Sequence, residues 1–161
     1  MKIHTLGDPV LYKKSVVIPD IDKKIVDLAD AMLTTMLEGK GLGLAAPQVG
    51  ENLRMFVCRV PNDVPRVFIN PEIIGTAQEQ IPYEEGCLSI PGIYADVTRP
   101  FGVSVQAWDT RGKPFTLDAD EVLGRVIQHE IDHLNGVLFI DRLEEKKKKR
   151  LIKTYNKKVP A

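Results

Sequence analysis

Apolar residues recur at helical spacing between positions 20 and 38, where Ile21, Ile25, Leu28, Met32 and Met36 fall on one face. The pattern predicts a helix there, capped by Asp20 or Asp22 and stopped by Gly39-Lys40-Gly41. The period then changes. Met55-Phe56-Val57-Cys58 and Val67-Phe68-Ile69 are β-rich runs, and Gly102 to Trp108 alternates as a half-buried strand does, with a hairpin turn at Asp109-Thr110-Arg111-Gly112. Helical spacing returns near Asp118 or Asp120 and runs to about Asn135, with Gly136 as the stop. From Arg142 the chain reads as a strongly basic helix. The sum is an α+β fold in which curved, mostly antiparallel sheets surround a central second helix, with a C-terminal helix behind it. The 161 residues contain no internal repeat and no Gly/Ser/Pro-rich linker, so a single domain over 1–161 is expected, with 142–161 as its basic tail.

Composition narrows the class without choosing a function. Apolar residues make up 43% and charged residues 27%, values of a soluble globular protein. Formal net charge is zero, so overall charge points to no DNA partner. The opening Met1-Lys2-Ile3-His4-Thr5 lacks a signal-peptide core, and no run of apolar residues is long enough to span a membrane. A cytoplasmic location is therefore expected, with Cys58 and Cys87 reduced. A reduced thiol is a metal ligand, a nucleophile or a core residue. Cys58, inside an apolar run, fits the core; Cys87, in Glu85-Gly86-Cys87-Leu88-Ser89, stays open between core and ligand.

The chemistry concentrates in His129-Glu130-Ile131-Asp132-His133. Histidines four apart lie one above the other on a helix, so one ion can take both imidazoles, and the adjacent Glu130 can act on a metal-bound water. Val122, Val126, His129 and His133 share one stripe of that helix, while Leu123, Ile127 and Leu134 form a neighbouring stripe toward the core. Two ligands are too few for a catalytic site, which usually has three and an open position. No histidine follows His133, and the acids Asp141, Glu144 and Glu145 lie beyond the helix. Cys87 is the upstream alternative, with Gly86 permitting close backbone approach. His4 reads as a surface residue.

Three segments stand together in order: Gly41-Leu42-Gly43-Leu44-Ala45-Ala46-Pro47-Gln48, Glu85 to Ser89, and Gln128 to His133. They resemble the motifs of peptide deformylase. The resemblance implies removal of the formyl group from N-formylmethionyl nascent polypeptides, with release of formate. It implies one divalent ion held by Cys87, His129 and His133, with Fe2+ native and Zn2+, Ni2+ or Co2+ able to replace it. It implies Glu130 as general base, with the Gln48 amide and the Leu88 backbone N–H stabilising the oxyanion. An extended peptide would add as a strand beside Gly41–Leu44, Gly43 included. The methionine side chain would meet Leu42, Tyr83, Val122, Val126 and the His129 ring, with Gly86 also among the substrate-binding residues. Tyr83 is bulkier than the aliphatic residue often found there. Arg99 resembles an arginine near the peptide's entry and reads either as a contact to substrate carbonyls or as a solvated strand-end charge. Gln128 and Asp132 are candidates for orienting the histidines, and Asp132 equally for a solvated helix acid.

Rival classes are a zinc endopeptidase, which needs a downstream ligand, and a structural metal module, which closes all four positions. The tail Lys146-Lys147-Lys148-Lys149-Arg150, with Lys153, Lys157 and Lys158, reads as a solvated helix face or as a contact to ribosomal RNA phosphates.

Overall fold

The structure is a computed structural model and describes residues 1–158. The last residues of the basic tail, 159–161, lie outside the described residues. The fold is α+β, as the pattern predicts. The first helix, α1 (Lys23–Glu38), begins at Asp22, whose carboxylate accepts from the Ile25 N–H at 3.1 Å. Asp20 lies before the cap, which trims the expected start. Its inner face, with Ile25, Ala29, Met32 and Met36, packs on a five-stranded sheet.

That sheet runs in the order β1 (Gly43–Ala45), β2 (Met55–Cys58), β3 (Arg66–Thr76), β6 (Gly102–Trp108) and β7 (Pro114–Asp120), every neighbour antiparallel. It is covered on both faces. Met55 and Val57 of β2 point to α1, whereas Phe56 and Cys58 point to α2 (Glu121–Leu134). This explains an apolar run without alternation: both sides of the strand are buried. Phe56 and Phe68 stack at 4.5 Å between ring centroids beneath α2. β1 lies at one edge of the sheet, with β2 as its sheet neighbour.

A second sheet is the long hairpin of β4 (Gln80–Cys87) and β5 (Ile90–Pro100), paired from Gln80↔Pro100 to Cys87↔Ile90. Sequence reading does not resolve these strands. Its underside, Ile93, Ala95 and Val97, rests on Leu138, Phe139 and Ile140 and on the apolar edge of α3 (Glu145–Lys158), namely Leu151, Ile152 and Tyr155. α3 turns Lys146, Lys149, Arg150 and Lys153 outward.

α2 starts and ends where the pattern places it, with Asp120 as its N-cap residue and Asn135 as its C-cap. Asp118 stays in β7, where Ser104 Oγ donates to it across the ladder, and Asp120 makes no side-chain cap. The turn into the helix falls on Glu121, in the left-handed region at φ 52°. From Gly124 to Leu134 every residue of α2 is buried, which makes it the central helix. No helix of the described residues is long and apolar enough to cross a membrane.

Candidate metal centre

Two structural pieces meet at the site. α2 presents His129 and His133 one turn apart, with ring centroids 5.1 Å apart. The end of β4 presents Cys87, whose Sγ lies 3.3 Å from His133 Nε2. The three ligating atoms lie within 4.8 Å of one another, the one cluster of three or more metal-type donors found among the described residues. Tetrahedral ligands at about 2.0–2.3 Å from a common ion stand roughly 3.3–3.8 Å apart. The thiol–imidazole separation falls in that range. Cys58 is instead buried in the core beneath α2, and burial, reinforced by Glu130, pushes its thiol up to about 12.

The electrostatics fit a cation. Burial opposes charge on His129, yet Glu130, Cys87 and Glu85 around it raise its pKa well above the ordinary range. His133 is held well below that range by burial and by the neighbouring His129. The same carboxylates and thiol that favour a positive charge at His129 would favour a cation held beside it, and burial disfavours a charge on His133. His129 Nδ1 donates to Glu85 Oε1 at 2.9 Å, which leaves Nε2 facing the site. Burial alone would raise Glu85, but donation from His129 and Arg99 overrides it and holds the carboxyl at about 2.

Glu130 occupies the floor of the cleft. Burial pushes its carboxyl up to about 7 against the pull of His129, with Glu85 and Asp132 adding to the rise. Oε2 lies 3.8 Å from His129 Nε2, and Oε1 is buried without a partner. β1 presses on it: a Cβ on Gly43 would come within 2.6 Å of Glu130 Oε2. Across the site, Gln48 sits in a 3₁₀ turn (Ala46–Val49) that follows β1. Its Oε1 accepts from Ala45 N at 2.9 Å, which fixes the amide plane. Its Nε2 donates to Ser89 Oγ at 3.0 Å and lies 3.5 Å from Cys87 Sγ. The backbone N–H of His4 ties to the Gln48 carbonyl at 2.7 Å; its ring pairs with Asp8 at 2.6 Å, a partner that sequence reading does not foresee.

The cleft over these groups has a volume of about 510 Å³, and Leu42, Gly43, Tyr83, Gly86, Leu88, Val122 and Val126 all line it. Tyr83 and Leu42 stand half-exposed at its mouth. The Leu88 side chain packs on the Gly41 backbone, where a Cβ would approach Leu88 Cδ1 to 2.7 Å.

Three expectations need correction. Arg99 is neither at the peptide's entry nor solvated: only 3% exposed, it grips Glu85 with Nε and Nη2 at 2.6 and 3.0 Å and Asp132 with Nη1 at 2.8 Å. Buried against these two carboxylates, the guanidinium does not line the cleft where a substrate carbonyl would lie. Asp132 is not a solvated acid and touches neither histidine; it holds Arg99 and Arg142. Gln128 donates to the Pro100 and Gly124 carbonyls, away from the histidines. The group that orients His129 is Glu85. It lies two positions before Cys87 on β4, a strand that sequence reading does not resolve.

Fold and site together define a protein of the HExxH type in which a cysteine on a separate strand stands beside the two histidines, a group that could hold a metal ion. The polypeptide deformylase family model matches residues 1–149, and the chain belongs to the peptide deformylase family, whose members remove the N-formyl group from nascent peptides. The chain is 51% identical over 156 residues to a peptide deformylase of Borreliella burgdorferi, covering 96% of this chain and 94% of that one. It is 50% identical over 148 residues to one from Picosynechococcus, covering 89% and 79%. Among solved structures, the peptide deformylase of Ehrlichia chaffeensis in complex with actinonin superimposes with a TM-score of 0.97 at 37% identity, covering 100% of this chain and 98% of that one.

Proposed function

We propose that this chain hydrolyses the formyl amide of N-formylmethionyl nascent polypeptides in the cytoplasm, releasing formate and a free amino terminus. The observation that carries the reading is the buried Glu130, pushed up to about 7, beside the Cys87, His129 and His133 donors at the floor of an open cleft. A divalent ion held by these three would supply Lewis acidity toward water and the formyl oxygen. Fe2+ as the native ion rests on the family resemblance, and the same thiolate–imidazole set accepts Zn2+, Ni2+ or Co2+.

Glu130 takes a proton from water as the oxygen bonds to the formyl carbon, then returns it to the amide nitrogen as the C–N bond breaks. A carboxyl near neutrality can do both. The Gln48 Nε2 amide, its plane locked by Ala45, and the Leu88 N–H are assigned to the developing oxyanion. The peptide lies along the edge strand β1 beside Leu42 and Gly43, held by its backbone. Its methionine enters between Leu42, Tyr83, Val122, Val126 and the His129 ring, with Gly86 also lining the cleft.

The test is formate release from a formyl-Met tripeptide by anaerobically prepared, Fe2+-loaded protein, with Glu130→Ala in parallel. We expect release in the parent and a loss of about 10²–10⁴-fold in kcat in the variant. A parent that carries one ion per chain and releases no formate would refute the reading.

The outward Lys146, Lys149, Arg150 and Lys153 of α3 are proposed to meet ribosomal RNA phosphates. Because the inner edge of α3 packs under the hairpin, charge reversal of these residues tests this better than truncation. Ribosome affinity should fall and lose its salt dependence, with activity on short peptides intact. Salt-independent binding by the parent would sink the idea.

A further inference from the structure

The cluster's donors come from two pieces that must be held in register: Cys87 ends a strand of the hairpin, and the histidines ride on α2. Arg125, one turn before His129, bridges the two. Its side chain is nine-tenths buried and all its reach goes to the hairpin. Nη1 donates to Glu85 Oε2 at 2.6 Å and to the Val97 carbonyl at 2.8 Å, and Nη2 donates to the Ile81 carbonyl at 2.6 Å. The guanidinium also stands 5.5 Å over the Tyr83 ring at the cleft wall.

Glu85 therefore carries more positive charge than neutralisation demands. Arg99 already grips both of its oxygens. A second buried guanidinium on the same carboxylate costs desolvation that a simple ion pair would not require. Its geometric effect is specific. With Arg99 on both oxygens and Arg125 on Oε2, the carboxylate cannot rotate, and Oε1 stays aimed at His129 Nδ1.

We propose that Arg125 is a positioning residue for the reaction, acting through Glu85 on the orientation of His129. This rests on the reading that Cys87, His129 and His133 hold a metal. Gln128 supplies a built-in control. It also staples α2 to the hairpin, through the Pro100 carbonyl, but does not touch Glu85.

The experiment measures Co2+ affinity and the visible spectrum of the Co2+-loaded protein for the parent, Arg125→Met, Arg125→Lys, Glu85→Gln, Gln128→Ala and the Arg125→Met/Glu85→Gln double variant. Steady-state kinetics are measured on a formyl-Met tripeptide. Arg125→Met should weaken Co2+ binding by about 10–100-fold, shift the spectrum, and lower kcat far more than it raises KM. Arg125→Lys, which can still reach Glu85, should recover part of each. Gln128→Ala should keep parental affinity and spectrum. In the Glu85→Gln background, Arg125→Met should add little, because its route to the metal is gone. Parental affinity and spectrum in Arg125→Met, or fully additive effects in the double variant, would overturn the proposal. Should Arg125→Met not fold, Arg125→Lys and its double variant with Glu85→Gln decide it by the same criteria. A parent that takes up no Co2+ would instead overturn the metal reading, an outcome distinct from parental binding with an indifferent Arg125.

Discussion

α2 meets the rest of the molecule in two different ways. Toward the five-stranded sheet it presents Val126, Ile127, Ile131 and Leu134 to Phe56, Phe68, Val105 and Ala107, with carbon against carbon. Toward the hairpin it presents Arg125, His129 and Asp132 to Glu85 and Arg99, in a buried chain of ions that ends at Arg142 near the surface. Apolar burial is strong but without direction, whereas charge-assisted hydrogen bonds fix angles and are costly when a partner is missing. The first contact supplies stability and the second supplies aim. A metal centre needs both, and this chain places them on opposite sides of one helix.

The division can be broken at one point, and that point should give the largest effect. Gly43 belongs to the apolar sheet, yet its missing side chain makes room for Glu130. Gly43→Ala should displace the carboxylate and lower kcat on a formyl-Met tripeptide by about 10²–10⁴-fold. The melting temperature should fall as well, because the new Cβ would stand 2.9 Å from the Cγ and Cδ of the buried Glu130. Turnover within threefold of the parent would show that the carboxylate has slack. Phe56→Ala sharpens the comparison from the apolar side. Denaturant unfolding should report a loss of about 3–5 kcal/mol, with kcat per folded molecule nearly unchanged. A large drop in kcat at temperatures where the variant is fully folded would mean that the apolar contact also aims the histidines. The smallest effect is expected at the outer end of the ionic chain. The Arg142 side chain is half-exposed where it meets Asp132, so Arg142→Ala should cost no more than about 1 kcal/mol by the same unfolding measurement.

The same contrast decides what could be read from sequence. Where contacts are apolar, periodicity announces them: β2, β6 and the inner faces of both long helices are visible as patterns in the chain. Motif spacing likewise brings out Cys87, His129, His133 and Glu130 as a group. The hairpin was hidden because its inward positions include Glu85 and Arg99, and charged residues read as solvated. Nothing local to Arg99 reveals that its partners sit 14 positions back and 33 positions ahead. Arg125 was passed over for the same reason, although its place one turn before His129 put it on the site's side of the helix. The polar second layer of the centre is written in long-range pairs, and a single sequence does not display these.

The separation of the donors has a consequence for the order in which the molecule is made. Cys87 and His133 lie 46 positions apart, on elements that meet only once the hairpin has closed and α2 has docked. What brings them together is a set of groups that are not metal donors at all: Glu85, Arg99, Arg125 and Asp132. On the proposed metal reading, the expected order is folding first, on these ion pairs, and metal loading last. Chelation should then silence the molecule without unfolding it, and the same scaffold should accept a replacement ion without being remade.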